Sequence, residues 1–348
     1  MLSLSTSWNI RRSPTAHDAF REVRRLGLSV VELSHVCRGD LECIFELVRR
    51  GEIVVSSIHS PCGVHPASAA PRCFSEDNLA STDEAARRSA VDAVKRSIEA
   101  GVAVGARAVV VHLGFVAVDG HAVQRQFVEL HSWFGVDPQG YRDMLARALD
   151  ERRKKARPNL DAAMRSLCEI LPVLDGTGMR LAIENRDYYH QIPNQEEMRA
   201  ILSEFRDAPI GYWHDVGHEE IPKRVGWLQS SWLPEFAPWV VGCHLHDVIG
   251  FRDHLVPGRG EIDFVEVLRK LPSNALKVIE VNSDIPGEDI LGAYQALSRL
   301  VAGSSSSPSQ DVEGHVKDSV AACSGLEAQA SGQHSDQARP GAKHRGPS

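Results

Sequence analysis

The feature that most constrains this chain is an ordered alternation of short β-branched runs with longer stretches that carry apolar residues at helical spacing. The runs are LSLST (2–6), SVVEL (29–33), IVVSSIH (53–59), AVVVHL (108–113), RLAIEN (180–185), IGYWHD (210–215), VVGCHLHD (240–247) and LKVIEV (276–281). Between them lie helix candidates such as HDAFREVRRLG, LECIFELVRRG, TDEAARRSAVDAVKRSIEAGVAVG and FVEVLRKL, several with glycine near the end. Strands separated by crossover helices build parallel sheets. Eight such units predict a closed (β/α)8 barrel, the TIM barrel of the α/β class. An open doubly wound sheet would gather its ligand residues at one switch point, and no GxGxxG follows the first strand.

Two segments break the rhythm. Residues 115–159 are too long for a plain connection and read as helical in their second half, which predicts a helical insertion after strand 4 that serves as a lid or substrate wall. From Gly303 the chain turns to SSSSPSQ and small polar residues, so a disordered C-terminal tail is expected. The expected division is a barrel over 1–302 and a tail over 303–348. With 43% hydrophobic residues in 348, the chain can bury a sizeable core. A formal charge of -7, of which only about -1 falls on the tail, leaves no basic stripe, and nucleic acid is disfavoured as a partner. The seven cysteines (Cys37, Cys43, Cys62, Cys73, Cys168, Cys243, Cys323) are odd in number and form no CxxC pair, which argues against a disulfide framework or a zinc ribbon. No leader or membrane-length apolar run is evident, so a cytoplasmic protein without a membrane partner is expected.

Six of the runs finish on or near a side chain able to hold a metal: His59, His112, Glu184, Asp215, His244 and Glu280. In a parallel barrel all strand C-termini open on one face, so these residues should converge there. Each has an ordinary reading by itself. Glu184 could pair with Arg186, Asp215 could cap a helix, and a lone histidine at a strand end is usually a hydrogen-bonded core residue. Their joint occurrence points to a metal site. His244 and His246 in HLHD are expected to face opposite ways, with only one of them directed into the barrel. Trp8, Phe115, Trp213 and Phe251 lie near these motifs and are candidates either for an apolar wall against a sugar ring or for core packing. His35 and His65 are further candidates to line the pocket.

The segments AIENR, HDVGH, HLHD followed by DHLVPGRGEIDF, and VIEVN resemble the xylose-isomerase-like barrel superfamily, over about residues 2–301. That superfamily groups sugar isomerases and epimerases with multi-zinc apurinic endonucleases. In the epimerase branch one divalent ion is held by a Glu, an Asp, a His and a second Glu at the ends of the last four strands. By motif these fall on Glu184, Asp215, His244 and Glu280. Three carboxylates and an imidazole make a hard, oxygen-rich set suited to Mn, Mg, Co or Zn. Such an ion would polarise a substrate carbonyl, and Glu184 and Glu280 on opposite sides of it would move protons at the neighbouring carbon. The resemblance thus implies a divalent-metal-dependent isomerase or epimerase with a carbohydrate-like substrate, a sugar or sugar phosphate. Related barrels often pair, which leaves room for a homo-oligomer.

The endonuclease branch supplies a rival. There further zinc ligands come from earlier strands and from the loop after the seventh, and His59, His112, His218 and His254 match them. An aspartate expected two residues before His254 is replaced by Arg252, with Asp253 displaced by one, which puts the third metal and the phosphodiester chemistry in doubt. PGRG replaces the usual acidic GEG, so Arg259 is either a recognition group for an anionic substrate or a surface arginine.

Overall fold

In a computed structural model, which describes residues 1–63, 78–120, 126 and 138–304, the eight predicted strands close into one parallel barrel. They are β1 (Leu2–Ser5), β2 (Val30–Leu33), β3 (Val54–His59), β4 (Ala108–Val111), β5 (Arg180–Glu184), β6 (Ile210–Asp215), β7 (Val240–Leu245) and β8 (Leu276–Ile279). Neighbours pair in chain order, and β1 pairs with β8 to complete the ring. The strands are nearly continuous apolar runs because a parallel sheet is covered on both faces. Inside, Ala108, Val110, Ala182, Trp213, Leu276 and Val278 form a packed plug. Gly242 makes room for it: a Cβ there would stand 2.2 Å from the Trp213 ring.

The outer helices are α1 (Ala16–Arg25), α2 (Leu41–Arg49), α3 (Glu84–Val104), α4 (Pro138–Leu174), α5 (Gln195–Glu204), α6 (Val216–Val225), α7 (Leu233–Phe236), α8 (Phe264–Lys270) and α9 (Gly287–Ser304). Several starts are capped as their sequences dictate. Asp83, Asn194 and Asp263 each accept a backbone N–H of the first turn, and Asn194 and Glu197 make a reciprocal capping box. The last helix, α9, ends at Ser304. The expected tail, from 305 onward, lies outside the described residues.

The insertion after β4 has two parts. A short ribbon pairs Gly114–Phe115 with Gln191–Ile192, and the long α4 leads back into β5. Arg152 of α4, buried, donates to both carboxylate oxygens of Glu197 at 2.7 and 2.6 Å and to the Gln191 carbonyl at 2.9 Å. This bidentate pair locks α4 against the rim. The first half of the insertion, residues 121–125 and 127–137, lies outside the described residues. Among those described, no helix is long and apolar enough to cross a membrane.

Candidate metal centre

The strand ends deliver their side chains to one spot at the barrel mouth. Glu184 and Asp215 end β5 and β6, His244 lies one residue from the end of β7, and Glu280 directly follows β8. His244 Nδ1 lies 3.5 Å from Glu184 Oε1, 3.6 Å from Asp215 Oδ2 and 3.1 Å from Glu280 Oε2. Two donor atoms each about 2.1 Å from one ion, at tetrahedral or octahedral angles, stand about 3.0–3.4 Å apart, so this spacing is close to that of a coordination shell.

The donor set also fits a cation on energetic grounds. All four residues are buried; Glu184 and Asp215 group with His244 on one side and Glu280 groups with it on the other, and carboxylates ranged round one imidazole in low dielectric repel unless positive charge lies among them. His244 Nδ1 is itself buried and makes no hydrogen bond, although its ring faces three acceptors. A buried, unbonded imidazole nitrogen aimed at carboxylates has the geometry of a metal ligand.

Protonated imidazoles supply the positive charge when no cation is bound. Burial alone would raise the pKa of Glu280, but His244, His254 and His59 outweigh it and hold the carboxyl down to about 2. Burial is likewise overcome at Glu184, by His112 and His244, and at Asp215, by His218 and His246; both are held well below the usual carboxylate range. The partners respond in kind. Burial opposes charge on His244 and His218, yet Glu280, Glu32 and Glu184 push His244 well up, and Asp215 and Asp187 push His218 to about 10. His112 goes the other way, down to about 4, because burial and the Arg186 guanidinium both disfavour its charged form.

Two further groups of donors flank the first. Glu184 Oε2 lies 3.2 Å from His59 Nε2 and 3.0 Å from His112 Nε2, so this carboxylate belongs to both sets. On the other side Asp215, His218 and His254 bring ligand atoms together, and Asp187, His218 and Asp253 do so as well. Asp253 thus enters through its own contact with His254 Nδ1 at 3.1 Å, while Arg252 lies exposed with Asp284 at 3.6 Å.

The expectation that His244 and His246 face opposite ways is overturned. Residues two apart on a strand share a face, and both imidazoles are buried at the mouth, each reaching Asp215. His246 Nδ1 accepts the backbone N–H of His254 at 2.9 Å, which leaves the proton on Nε2, where it is donated to Asp215 at 2.9 and 3.1 Å. His246 therefore holds Asp215 in place. Arg259 is not brought to the site: it is exposed and pairs with Asp289 of α9, as a surface arginine does. Trp8 and Trp213 are fully buried packing residues, whereas Phe115 sits exposed at the rim ribbon and Phe251 at the hairpin turn after β7, so the four make no common wall. His35 stands at the mouth with a left-handed backbone, φ 58°, and His65 lies outside the described residues.

Sequence reasoning missed Glu32 and Asp187, and it set Asp253 aside as displaced by one residue. Glu32 is fully buried on β2, where its charge inside the run SVVEL carried the same signal as Glu184 and Glu280. Asp247 was missed too. Its carboxylate accepts the backbone N–H groups of Val248, Gly258, Gly260 and Ile262 at 2.8–3.0 Å. It shapes the loop that carries Asp253 and His254, and Gly260 is required there because a Cβ would stand 2.4 Å from Asp247 Oδ1.

A parallel barrel with acidic and imidazole side chains gathered at its C-terminal mouth presents them at the face where barrel enzymes carry their sites. The chain belongs to the xylose isomerase-like TIM barrel family, whose sequence model matches residues 20–299. It is 23% identical over 246 residues, 68% of each chain, to the uncharacterized protein MJ1311 of Methanocaldococcus jannaschii. An L-ribulose 3-epimerase shares the fold with a TM-score of 0.60 at 13% identity, over 88% of this chain and 95% of that one. A D-tagatose 3-epimerase-like protein does so with a TM-score of 0.58 at 18% identity, over 87% and 98%.

Proposed function

We propose that this chain is a divalent-metal-dependent isomerase or epimerase that acts on a sugar or sugar phosphate by proton transfer next to a carbonyl. The observation that carries the reading is the convergence of Glu184, Asp215 and Glu280 on the unbonded Nδ1 of His244. The epimerase neighbours share this fold, and parallel barrels of this kind hold their sites at the C-terminal face, which supports the reading. A divalent ion held by these four residues would supply Lewis-acid polarisation of a substrate carbonyl. The chain's own groups do the rest. Asp215 is kept ionised and oriented by His246 and by its cap on α6, so its role is to bind. Glu184 and Glu280 stand on different strands around the same point, which lets one remove a proton from a carbon while the other returns one to the opposite face. His59 Nε2, 3.2 Å from Glu184 Oε2, orients that carboxylate and can relay its proton, while His112 Nε2 accepts from the Arg186 guanidinium at 2.6 Å.

The test is a panel of ketoses, their phosphates and cyclitols incubated in deuterated water with Mn, Mg, Co or Zn. Incorporation of deuterium at the carbon beside the carbonyl supports the reading whatever product is formed, and its absence across the panel counts against it.

A second reading has its own support. The groups His59–His112–Glu184 and Asp215–His218–His254 sit on either side of the first set, an arrangement suited to more than one ion and to a multi-zinc phosphodiesterase. One tightly bound ion per chain favours the isomerase; two or three, with cleavage of an abasic-site oligonucleotide, favour the phosphodiesterase.

A further inference from the structure

Glu32 sits in the second strand, and the imidazole it meets, that of His244, lies across the barrel. Its Oε1 is 2.9 Å from His244 Nε2, while β8 and β1 separate the two strands around the ring. Both residues are fully buried. The other carboxylate oxygen, Oε2, accepts the hydroxyl of Ser57 at 2.8 Å. That second contact depends on an irregularity in the sheet. Between β2 and β3, Val31 pairs with Val55 but Glu32 pairs with Ser57, so the register slips by one and Ser56 and Ser57 both bring hydroxyls to the barrel interior. Bulges of this kind re-aim a side chain, and this one aims Ser57 at Glu32.

A carboxylate buried in a barrel interior is expensive unless each oxygen has a donor. Here each has one, and the donor on the His244 side is the ring nitrogen opposite the one that faces Glu184, Asp215 and Glu280. An acceptor at Nε2 keeps a proton on Nε2, so that when a cation replaces the other ring proton it is the Nδ1 lone pair that meets it. It also restrains the ring plane, because the Nε2 end of the imidazole is anchored on Glu32.

We propose that Glu32, braced by Ser57, is a positioning residue for the metal centre: it selects the His244 tautomer and ring orientation that present Nδ1 to a cation. This inference rests on the reading of Glu184, Asp215, His244 and Glu280 as ligands. It adds a carboxylate that touches neither cation nor substrate and acts through His244.

The test compares the wild-type chain with Glu32→Gln, Glu32→Ala and Glu280→Gln by competition binding of Co²⁺, the visible absorption of the Co²⁺-loaded protein, and the melting temperature after chelation. Loss of a carboxylate behind a ligating histidine weakens metal affinity by about 10–100-fold. Glu32→Gln keeps the shape and can accept from His244, so it gives a loss at the lower end of that range with a changed Co²⁺ spectrum; Glu32→Ala gives the larger loss. The melting temperature of chelated Glu32→Gln stays close to wild type, which separates positioning from simple destabilisation. Should Glu32→Ala fail to fold, Glu32→Gln alone decides. Unchanged Co²⁺ affinity and spectrum in Glu32→Gln, with binding lost in Glu280→Gln, overturn the role of Glu32 and leave the metal centre standing. A wild-type chain that binds no Co²⁺ overturns both.

Discussion

Asp215 and His218 are joined across the first turn of α6: Asp215 Oδ1 accepts the His218 backbone N–H at 2.8 Å and lies 3.7 Å from its ring Nδ1. The other carboxylate oxygen points to His244 at 3.6 Å. The helix cap and the site carboxylate are therefore one group, and the ordinary and functional readings of Asp215 hold together.

That double role can be separated by mutation. Asparagine caps helices about as well as aspartate, so Asp215→Asn keeps the start of α6 in place while it removes the buried charge and metal affinity falls sharply. Asp215→Ala removes the cap and strands the His246 N–H, and it costs about 1–3 kcal/mol. Chemical denaturation alongside metal titration checks both; wild-type metal affinity in Asp215→Asn contradicts the assignment.

Glu184 is shared between His59, His112 and the set around His244. Glu184→Gln preserves its shape but removes its charge and its basicity, and turnover on whichever substrate exchanges deuterium falls by about 10²–10⁴-fold while the barrel still folds. Circular dichroism with the exchange assay decides it, and retained turnover removes Glu184 from the mechanism.

The titrating groups set a pH profile for the cation-free protein. His218, raised from 6.5 to about 10, contributes stability that is complete below pH 6.5 and lost as pH climbs through about 10. His112, lowered from 6.5 to about 4 by burial and Arg186, contributes stability that is complete above pH 6.5 and lost as pH drops through about 4. Glu280, lowered from 4.5 to about 2, adds to the acid limb. The melting temperature in EDTA is expected to peak near pH 6.5, and a saturating divalent ion should flatten the alkaline side by replacing the imidazole protons. A melting temperature in EDTA that rises steadily from pH 6.5 to 10 contradicts this.

Arg259 and Asp247 make a contrast within one loop. Arg259→Ala, at an exposed ion pair with Asp289, shifts stability by about 0.5 kcal/mol or less and leaves turnover unchanged. Asp247→Ala removes the acceptor for four backbone N–H groups and costs about 3 kcal/mol or more, with faster amide exchange at Gly258, Gly260 and Ile262. Slow exchange retained at those amides in Asp247→Ala refutes the cradle.

Much of this is legible in the chain because a parallel barrel writes its strands as doubly buried apolar runs and its mouth as polar strand ends. Glu184, Asp215, His244 and Glu280 can be read from that pattern. Glu32 escapes it, although it bears the same mark, because its charge lies inside a strand and its partner, His244, is 212 residues away. His246 follows strand periodicity after all, sharing the face of His244, and the expectation of opposed rings ran against that rule. Asp187 and Asp253 sit just outside the strands whose ends carry the pattern, where side-chain direction follows backbone detail such as the Asp247 cradle and not residue spacing. Arg259 has the look of a recognition group in its motif, yet its side chain settles on the nearest carboxylate at the surface.

The central claim is that four side chains from four strands share one divalent cation, and elemental analysis by mass spectrometry tests it most directly. After loading with Mn²⁺ or Zn²⁺ and exhaustive dialysis, the wild-type chain is expected to retain at least one equivalent, and Asp215→Asn and Glu280→Gln to retain substantially less. A wild-type chain that retains none, or variants that retain as much as wild type, would contradict the account.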